Sequence, residues 1–552
     1  MQFPIVILVY LTVLPILFLV YGAFVQDIGS FDLTLANVTR VFGDATLLPL
    51  VGRTFIFALS GAFLALLLGG TAAWITERTA TRLKSLVSAL NLISLTMPSL
   101  FTCVVWISLL APKSGLINSW LASLFQLPVG PLSIYSLPGM IWVEALIGAP
   151  FAYLLMAAVL SSMDRSLEEA STMSGASVWT TLRRVTLPIM LPAVLSVMIF
   201  RIVRSLESFE TPVLIGVPQG IDLMVSKIFT IVTVERSYGV ASAYSLALMA
   251  ASFVGIYYYS RITSQTYRFA SVTGKGFKGD TIKLGRYQFL ADSYLILFIV
   301  ILGLLPLVTL VWNALLPYSM RPSGEALAQL TTKNFQTVIS SPKVFSAFQN
   351  SFAVAAGTAA VCVSLASIVA WIVLRTKMRG RWLLDLLAFL PMTIPGVIMG
   401  VGLVWIYLTL PIPVYGTLWI ILIGYATSFL PIAMRFMSPA LGQIHKELEE
   451  SAYMSGATWW AAFRGILIPL LLPAALGAAI YIFMLVFRVV SMAIVVYTPS
   501  TVVVPVMIFQ MWGESAGNAV HALLLINTLV LVPFALSYHW LTRRYGLRAR
   551  TD

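Results

Sequence analysis

Long apolar stretches alternate with short polar ones along the whole chain. The apolar stretches lie near 5–25, 47–76, 85–110, 138–162, 188–212, 240–260, 290–316, 348–374, 382–410, 415–437, 469–497 and 519–541. Each approaches or exceeds the roughly 20 residues a helix needs to cross about 30 Å of hydrocarbon. The pattern predicts an all-α polytopic membrane protein of about twelve transmembrane helices.

Two of the polar intervals are near copies. Residues 168–192 read EEASTMSGASVWTTLRRVTLPIMLP, and residues 449–473 read EESAYMSGATWWAAFRGILIPLLLP. Glu169 and Glu450, Gly175 and Gly456, Pro188 and Pro469, and Pro192 and Pro473 are all 281 positions apart. Leu167–Ser174 is expected as a short amphipathic helix whose first-turn acids, Glu168 and Glu169, complement its dipole. Gly175 sits where a left-handed cap would end it. A second short helix is expected from Trp179 to Arg184, and Pro188 then opens the next span, where proline is tolerated. Glu449, Glu450, Gly456, Trp459, Arg464 and Pro469 repeat the arrangement. The sequence thus predicts two helix–turn–helix knobs, a docking surface for a two-fold partner.

The duplication reaches further. Ala73-Trp74 matches Ala370-Trp371, Arg78-Thr79 matches Arg375-Thr376, and Pro98 matches Pro395, all offset by 297. The offset falls to 281 because the loop around 111–137 is longer in the first half. Both halves run in the same order with an even number of spans between them, so they read as parallel repeats of about six helices. The expected division is a first half over 1–262, a linker over 263–288 containing Gly274, Gly276 and Gly279, and a second half over 289–552.

Composition agrees with a protein solvated by lipid: 59% of residues are hydrophobic and 10% charged, against about 25% charged in soluble domains. The net charge of +13 reads as topology rather than as a nucleic-acid or acidic-substrate surface. Arg78, Arg82 and Lys84, the stretch Arg261 to Arg286, the stretch Arg375 to Arg381, and Arg543, Arg544, Arg548 and Arg550 all fall on one side of a twelve-span chain. Both knobs fall there too. The positive-inside rule makes that side cytoplasmic, with both termini on it. Cys103 and Cys362 lie inside predicted spans, so no disulfide framework is indicated. His445, His521 and His539 lack metal-ligand spacing. Phe3–Val20 has no basic n-region and no A-x-A site, and reads as a retained first helix.

The knob pattern resembles the E-A-A, three residues, G, nine residues, I-x-L-P signature of the membrane subunits of binding-protein-dependent ABC importers. Here it stands as Glu169-Ala170-Ser171, Gly175 and Val185-x-Leu187-Pro188, then as Glu450-Ser451-Ala452, Gly456 and Ile466-x-Ile468-Pro469. Each copy departs once from E-A-A, and the second has Ile before Pro. The resemblance implies that Glu168, Glu169, Ala170, Gly175 and Pro188, with Glu449, Glu450, Ala452, Gly456 and Pro469, form coupling segments seated in two copies of a cytoplasmic ABC ATPase. It also implies an extracytoplasmic substrate-binding protein and a bacterial cytoplasmic (inner) membrane. No phosphate loop of the form GxxxxGK[ST] occurs, since Gly274-Lys275-Gly276 does not qualify. The chain is therefore expected to be a transport subunit and not an enzyme, with no cofactor of its own; ATP and Mg belong to the partner ATPase.

Ionisable residues inside spans are costly and often mark a substrate path. Arg201, Arg204, Glu207 and Glu210 lie three residues apart, so Arg204–Glu207 and Glu207–Glu210 can meet. The 281 offset sets Glu207 against Arg488 and Glu210 against Ser491. Two readings stand side by side: a translocation pathway, or a buried Arg–Glu clasp joining the halves. Glu144 reads as a residue near the external interface. Residues 208–216, SFETPVLIG, predict a broken helix or re-entrant turn. They resemble the S-F-E-x-P-x-L-x-G stretch of fused permeases of the ferric-iron, polyamine and thiamine type. Ferric iron is the first expectation for substrate, with polyamine, thiamine or an anionic phosphonate as alternatives. A secondary transporter driven by an ion gradient is the alternative class; it needs no twin knobs.

Overall fold

The computed structural model describes residues 2–544 apart from 27, 31, 95, 96, 271–281, 283 and 515. The chain is 79% helical, and no β-strand occurs among the described residues. That is the expected answer to hydrocarbon, where every backbone N–H and C=O needs an internal partner. Nine described helices are long and apolar enough to cross a membrane, or eleven when two bent pairs each count as one span. The expected spans 188–212 and 469–497 appear as Val178–Leu206 and Trp460–Val486. The continuous helix expected over 382–410 is bent by 110° between Arg381–Thr393 and Gly396–Thr409. That over 85–110 is divided into Lys84–Ser94 and Ser99–Leu110. Pro98 and Pro395 precede the second member of each, because proline cannot supply the N–H and pushes the residue before it toward extended backbone. The span expected over 240–260 lies within the helix Tyr238–Ala270.

The chain forms two compact units that cut across the sequence halves. One comprises Met1–Asp44, Lys227–Met249 and Phe335–Asp552; the other comprises Ala45–Ser226 and Ala250–Asn334. The expected division at 262/263 and 288/289 follows the sequence repeats, whereas each of these units draws residues from both halves. The linker glycines Gly274, Gly276 and Gly279, and Arg548 and Arg550, lie outside the described residues. In the first-named unit, the chain's opening helix packs on Gly396–Thr409. A Cβ on Gly402 would lie 2.7 Å from the Pro15 carbonyl oxygen, and one on Gly22 would overlap the Trp405 ring. In the other unit, Leu305–Ala314 packs on Ser99–Leu110, and Leu90 fills the space that Gly303 leaves. Each unit thus holds the first span of the opposite sequence half. The cause is close packing over small residues, which periodicity alone does not reveal.

Four spans share a local device. A wider, π-helical turn precedes Pro15, Pro188, Pro306 and Pro469, over Val9–Val13, Leu182–Thr186, Val300–Leu304 and Phe463–Leu467. The carbonyl four residues before each proline falls inside that turn. The extra residue moves it away from the ring it would otherwise strike. Helices continue through these prolines instead of ending.

The segment after the fifth span breaks as its Pro and Gly predict. Pro212–Gln219 meets Met224–Glu235 at 77°. The N–H of Met224 is satisfied by Thr54 Oγ1 at 3.0 Å, and in the other unit the N–H of Val504 by Ser351 Oγ at 2.7 Å. A hydroxyl on a neighbouring span thus replaces the missing backbone partner of a broken helix.

Candidate functional site

Each knob is built from a short acidic helix, a glycine turn and a second short helix. The first runs Ser166–Met173, Gly175, Val178–Thr181; the second runs Glu447–Met454, Gly456, Trp459–Ala462. Gly175 has φ +82° and Gly456 φ +83°, a region that side chains with a Cβ rarely adopt. The closing hydrogen bonds are the same. Gly175 N donates to Thr172 O and Ala176 N to Ser171 O; Gly456 N donates to Tyr453 O and Ala457 N to Ala452 O, all at 3.0–3.1 Å. This is the Schellman closure of a helix end. Pro188 and Pro469 occupy the second position of the membrane helices that follow.

The paired acids have separate fates. Glu168 and Glu449 turn inward and are buried, whereas Glu169 is half-buried and Glu450 exposed. Glu168 Oε2 lies 3.0 Å from Arg78 Nε, and its Oε1 accepts from Thr186 Oγ1 at 2.6 Å. Glu449 Oε1 lies 2.8 Å from Arg375 Nε, and its Oε2 accepts from Trp371 Nε1 at 3.2 Å. Arg375 also donates to the Leu441 carbonyl at 3.1 Å, and Arg165 donates to the Glu77 carbonyl at 2.8 Å. Each knob is therefore tied to the end of a membrane span by a buried ion pair. Glu168 and Glu449, expected within the coupling segments, face inward and pair with Arg78 and Arg375. Arg78 and Arg375, read from sequence only as topology signals, are their counter-charges. The signal that could have found them is the shared 297 offset beside the 281 offset of the glutamates.

Both copies expose large apolar side chains at matching positions. Met173 is 90% exposed and Met454 89%. Leu167 and Trp179 flank the first, and Leu448 and Trp460 the second, each pair again 281 apart and exposed. Ala170 is exposed and Ala452 half-buried. Desolvation, with a smaller contribution from the neighbouring Glu449 carboxylate, pushes the Tyr453 phenol above its ordinary value, so it stays a neutral hydroxyl at physiological pH. These surfaces suit a greasy groove on a partner: contiguous exposed apolar residues mark interaction sites.

Inside the membrane, the structure separates residues that spacing had grouped. Arg201 is buried, with Nη2 3.1 Å from Glu144 Oε1. Ser205 Oγ donates to Glu144 Oε1 at 2.9 Å and Ser208 Oγ to Oε2 at 2.8 Å. Gly148 makes room for the guanidinium, since a Cβ there would lie 2.4 Å from Arg201 Nη2. Glu144 is thus no interface residue but the buried partner of Arg201. The clasp lies within one unit instead of joining the halves. The 281 offset sets Tyr425 at the position of Glu144, and its hydroxyl donates to the Val489 carbonyl. One half holds a charged pair where the other uses a neutral hydrogen bond.

Arg204 and Glu207 do pair, and the guanidinium is 52% exposed while the carboxylate is 7% exposed. Glu207 pairs with Arg204 and Glu210 is buried beside Ser99, the first residue after the Pro98 break. Ser491, at the matching place, lies against Gly396, the first residue after the Pro395 break. Arg488 follows the helix Ile468–Val486 and is half-buried. Among the described residues, no group of three or more His, Cys, Asp or Glu is placed to hold a metal ion.

Residues 61–266 and 340–551 each match the family described as "Binding-protein-dependent transport system inner membrane component". The putative ferric transport system permease protein FbpB 1 of Haemophilus influenzae is 24% identical over 94% of this chain and 81% of its own length. The ferric transport system permease protein FbpB of Actinobacillus pleuropneumoniae is 23% identical over 92% and 73%. A putative 2-aminoethylphosphonate transport system permease protein, PhnV of Salmonella paratyphi A, is 27% identical over 32% of this chain and 69% of its own.

Proposed function

The chain belongs to the family of binding-protein-dependent transport system inner membrane components, and on that premise we propose that it is the two-half permease of an ATP-driven importer of ferric iron. The observation that carries the reading is the pair of knobs. Two copies of one rigid element, each locked to a span by a buried Arg–Glu pair and each presenting an exposed methionine between apolar neighbours, call for two copies of one driving subunit. ATP and Mg bind on that subunit, and closure of the ATPase pair moves the two knobs and hence the spans behind them.

Substrate arrives from a soluble extracytoplasmic binding protein and crosses by alternating access. Arg204, Glu207, Glu210, Arg488 and Ser491 line its path, and the exposed Arg204 guanidinium over a buried carboxylate is the polar step in an apolar wall. Arg201 acts through the clasp with Glu144, holding the helix end that presents these groups. Ferric iron is favoured because two ferric permeases match most of the chain end to end. The phosphonate permease matches about a third and keeps a phosphonate as the second reading.

The test is uptake by proteoliposomes holding the chain, its ATPase and its extracytoplasmic protein. Labelled ferric iron should accumulate with ATP inside, and polyamine, thiamine and 2-aminoethylphosphonate should not. Uptake of one of these in place of iron would remove the substrate assignment and leave the importer. Loss of uptake on collapsing a proton gradient, with ATP maintained, would remove the importer.

A further inference from the structure

The loop that lengthens the first half carries a short helix, Leu116–Phe125, between the end of the short apolar helix Ser99–Leu110 and the start of the span Leu137–Ser162. Chain order puts it at the end of that unit opposite the first knob. The buried Asn118 ties it there. Its amide donates to the carbonyls of Leu110 at 2.7 Å, Ala111 at 3.2 Å and Leu132 at 2.7 Å, and its oxygen accepts from Leu132 N at 3.1 Å. The bonds to Leu132 hold the helix five residues before the start of the span Leu137–Ser162, at headgroup depth and not out in water.

Its sequence, LINSWLASLF, contains no charge. Trp120 and Leu124, four apart, share a face, and with Phe125 they are 58–62% exposed. Beside the helix is a cavity of about 260 Å³ lined by Lys113, Ser119, Ser123, Gly130 and Arg321 among others, with no carboxylate in its wall. Arg321 is steadied by donating to the Ser119 carbonyl at 3.2 Å. An apolar face with Trp at the bilayer surface, next to two cations and two hydroxyls, matches one molecule that has both characters. An anionic solute would use the cations and leave the face bare.

We propose that Leu116–Phe125 lies in the outer membrane interface and that the Lys113–Arg321 pocket holds the phosphate of a phospholipid headgroup. Interfacial helices of this kind bury an apolar face at the headgroup–acyl boundary and gain from nearby cations. The bound lipid would steady the loop that only the first half possesses. The idea does not depend on which substrate is carried.

The experiment uses the full chain in phospholipid nanodiscs. A fluorophore at Leu124→Cys is read against lipid brominated high in the acyl chain and against aqueous iodide; the native Cys103 and Cys362 are buried and do not compete. Native mass spectrometry of the purified chain then follows retained phospholipid in Lys113→Gln with Arg321→Gln, two surface changes that spare Asn118. The expected result is quenching by the brominated lipid and roughly tenfold weaker lipid retention in the double variant. Quenching by iodide alone, retention unchanged by the double variant, displacement of the lipid by inorganic phosphate, or shielding of the probe only when an extracytoplasmic protein is added would each overturn it.

Discussion

Arg78 Nε meets Glu168 Oε2 at 3.0 Å beneath the first knob, and both side chains are almost fully withdrawn from solvent. A single charge left buried by removing its partner is destabilising by about 3–5 kcal/mol, whereas replacing both with apolar groups is often tolerated. Arg78→Ala should therefore lower the thermal midpoint and the yield of folded protein in detergent. Arg78→Met with Glu168→Leu should recover much of the midpoint. If it does, but ATP-driven uptake stays impaired, the pair acts as a rivet between knob and span. Equal stability of the single and double variants would remove that role.

Met173 and Met454 are the most exposed large hydrophobic residues of their knobs. Central apolar anchors in interfaces commonly contribute about 2 kcal/mol or more. Met173→Lys and Met454→Lys should leave the thermal midpoint of the chain unchanged and weaken ATPase capture roughly tenfold or more each. Capture measured by affinity pull-down or interferometry at fixed salt checks this.

Gly175 and Gly456 hold their turns at φ near +80°. Alanine there costs roughly 1–2 kcal/mol in the left-handed conformation. Proline cannot reach that φ at all and removes the N–H that bonds Thr172 or Tyr453. Gly175→Ala should keep reduced uptake, and Gly175→Pro or Gly456→Pro should leave ATP hydrolysis running without transport. Full uptake with both prolines in place would show that the turns transmit nothing.

On the proposed function Arg201 belongs to a clasp and Glu207 to the substrate path, and two variants separate these roles. Arg201→Leu strands Glu144 and should cost about 3–5 kcal/mol. Glu207→Gln keeps the shape and one hydrogen bond to the exposed Arg204, so the midpoint should hold while uptake falls severalfold. The discriminating observation is stability measured beside uptake for each variant.

Much of this was legible in the chain itself. Twelve apolar stretches, two offsets of 297 and 281, and the Glu–Gly–Pro spacing specify a duplicated helical membrane protein with twin knobs, and the Gly turns follow from the need for a left-handed residue. The breaks at Pro98 and Pro395 were not, because hydropathy stays high on both sides of the bend. Which of two adjacent glutamates turns inward was also hidden. Glu168 and Glu169 differ by 100° around a helix, and only the position of Arg78 on another span decides between them. Glu144 was misplaced for the same reason: its partner Arg201 is 57 residues away on a different helix. The exchange of first spans between units lies in the packing of Gly22, Gly303 and Gly402, which no periodic pattern marks.

The most direct measurement is substrate uptake by sealed proteoliposomes with the chain alone, then with the ATPase, then with ATPase, ATP and substrate-loaded extracytoplasmic protein together. Uptake should occur only in the last condition and should vanish when the ATPase cannot hydrolyse ATP. Accumulation against a gradient by the chain alone would contradict the assignment of both knobs as levers worked from outside the polypeptide.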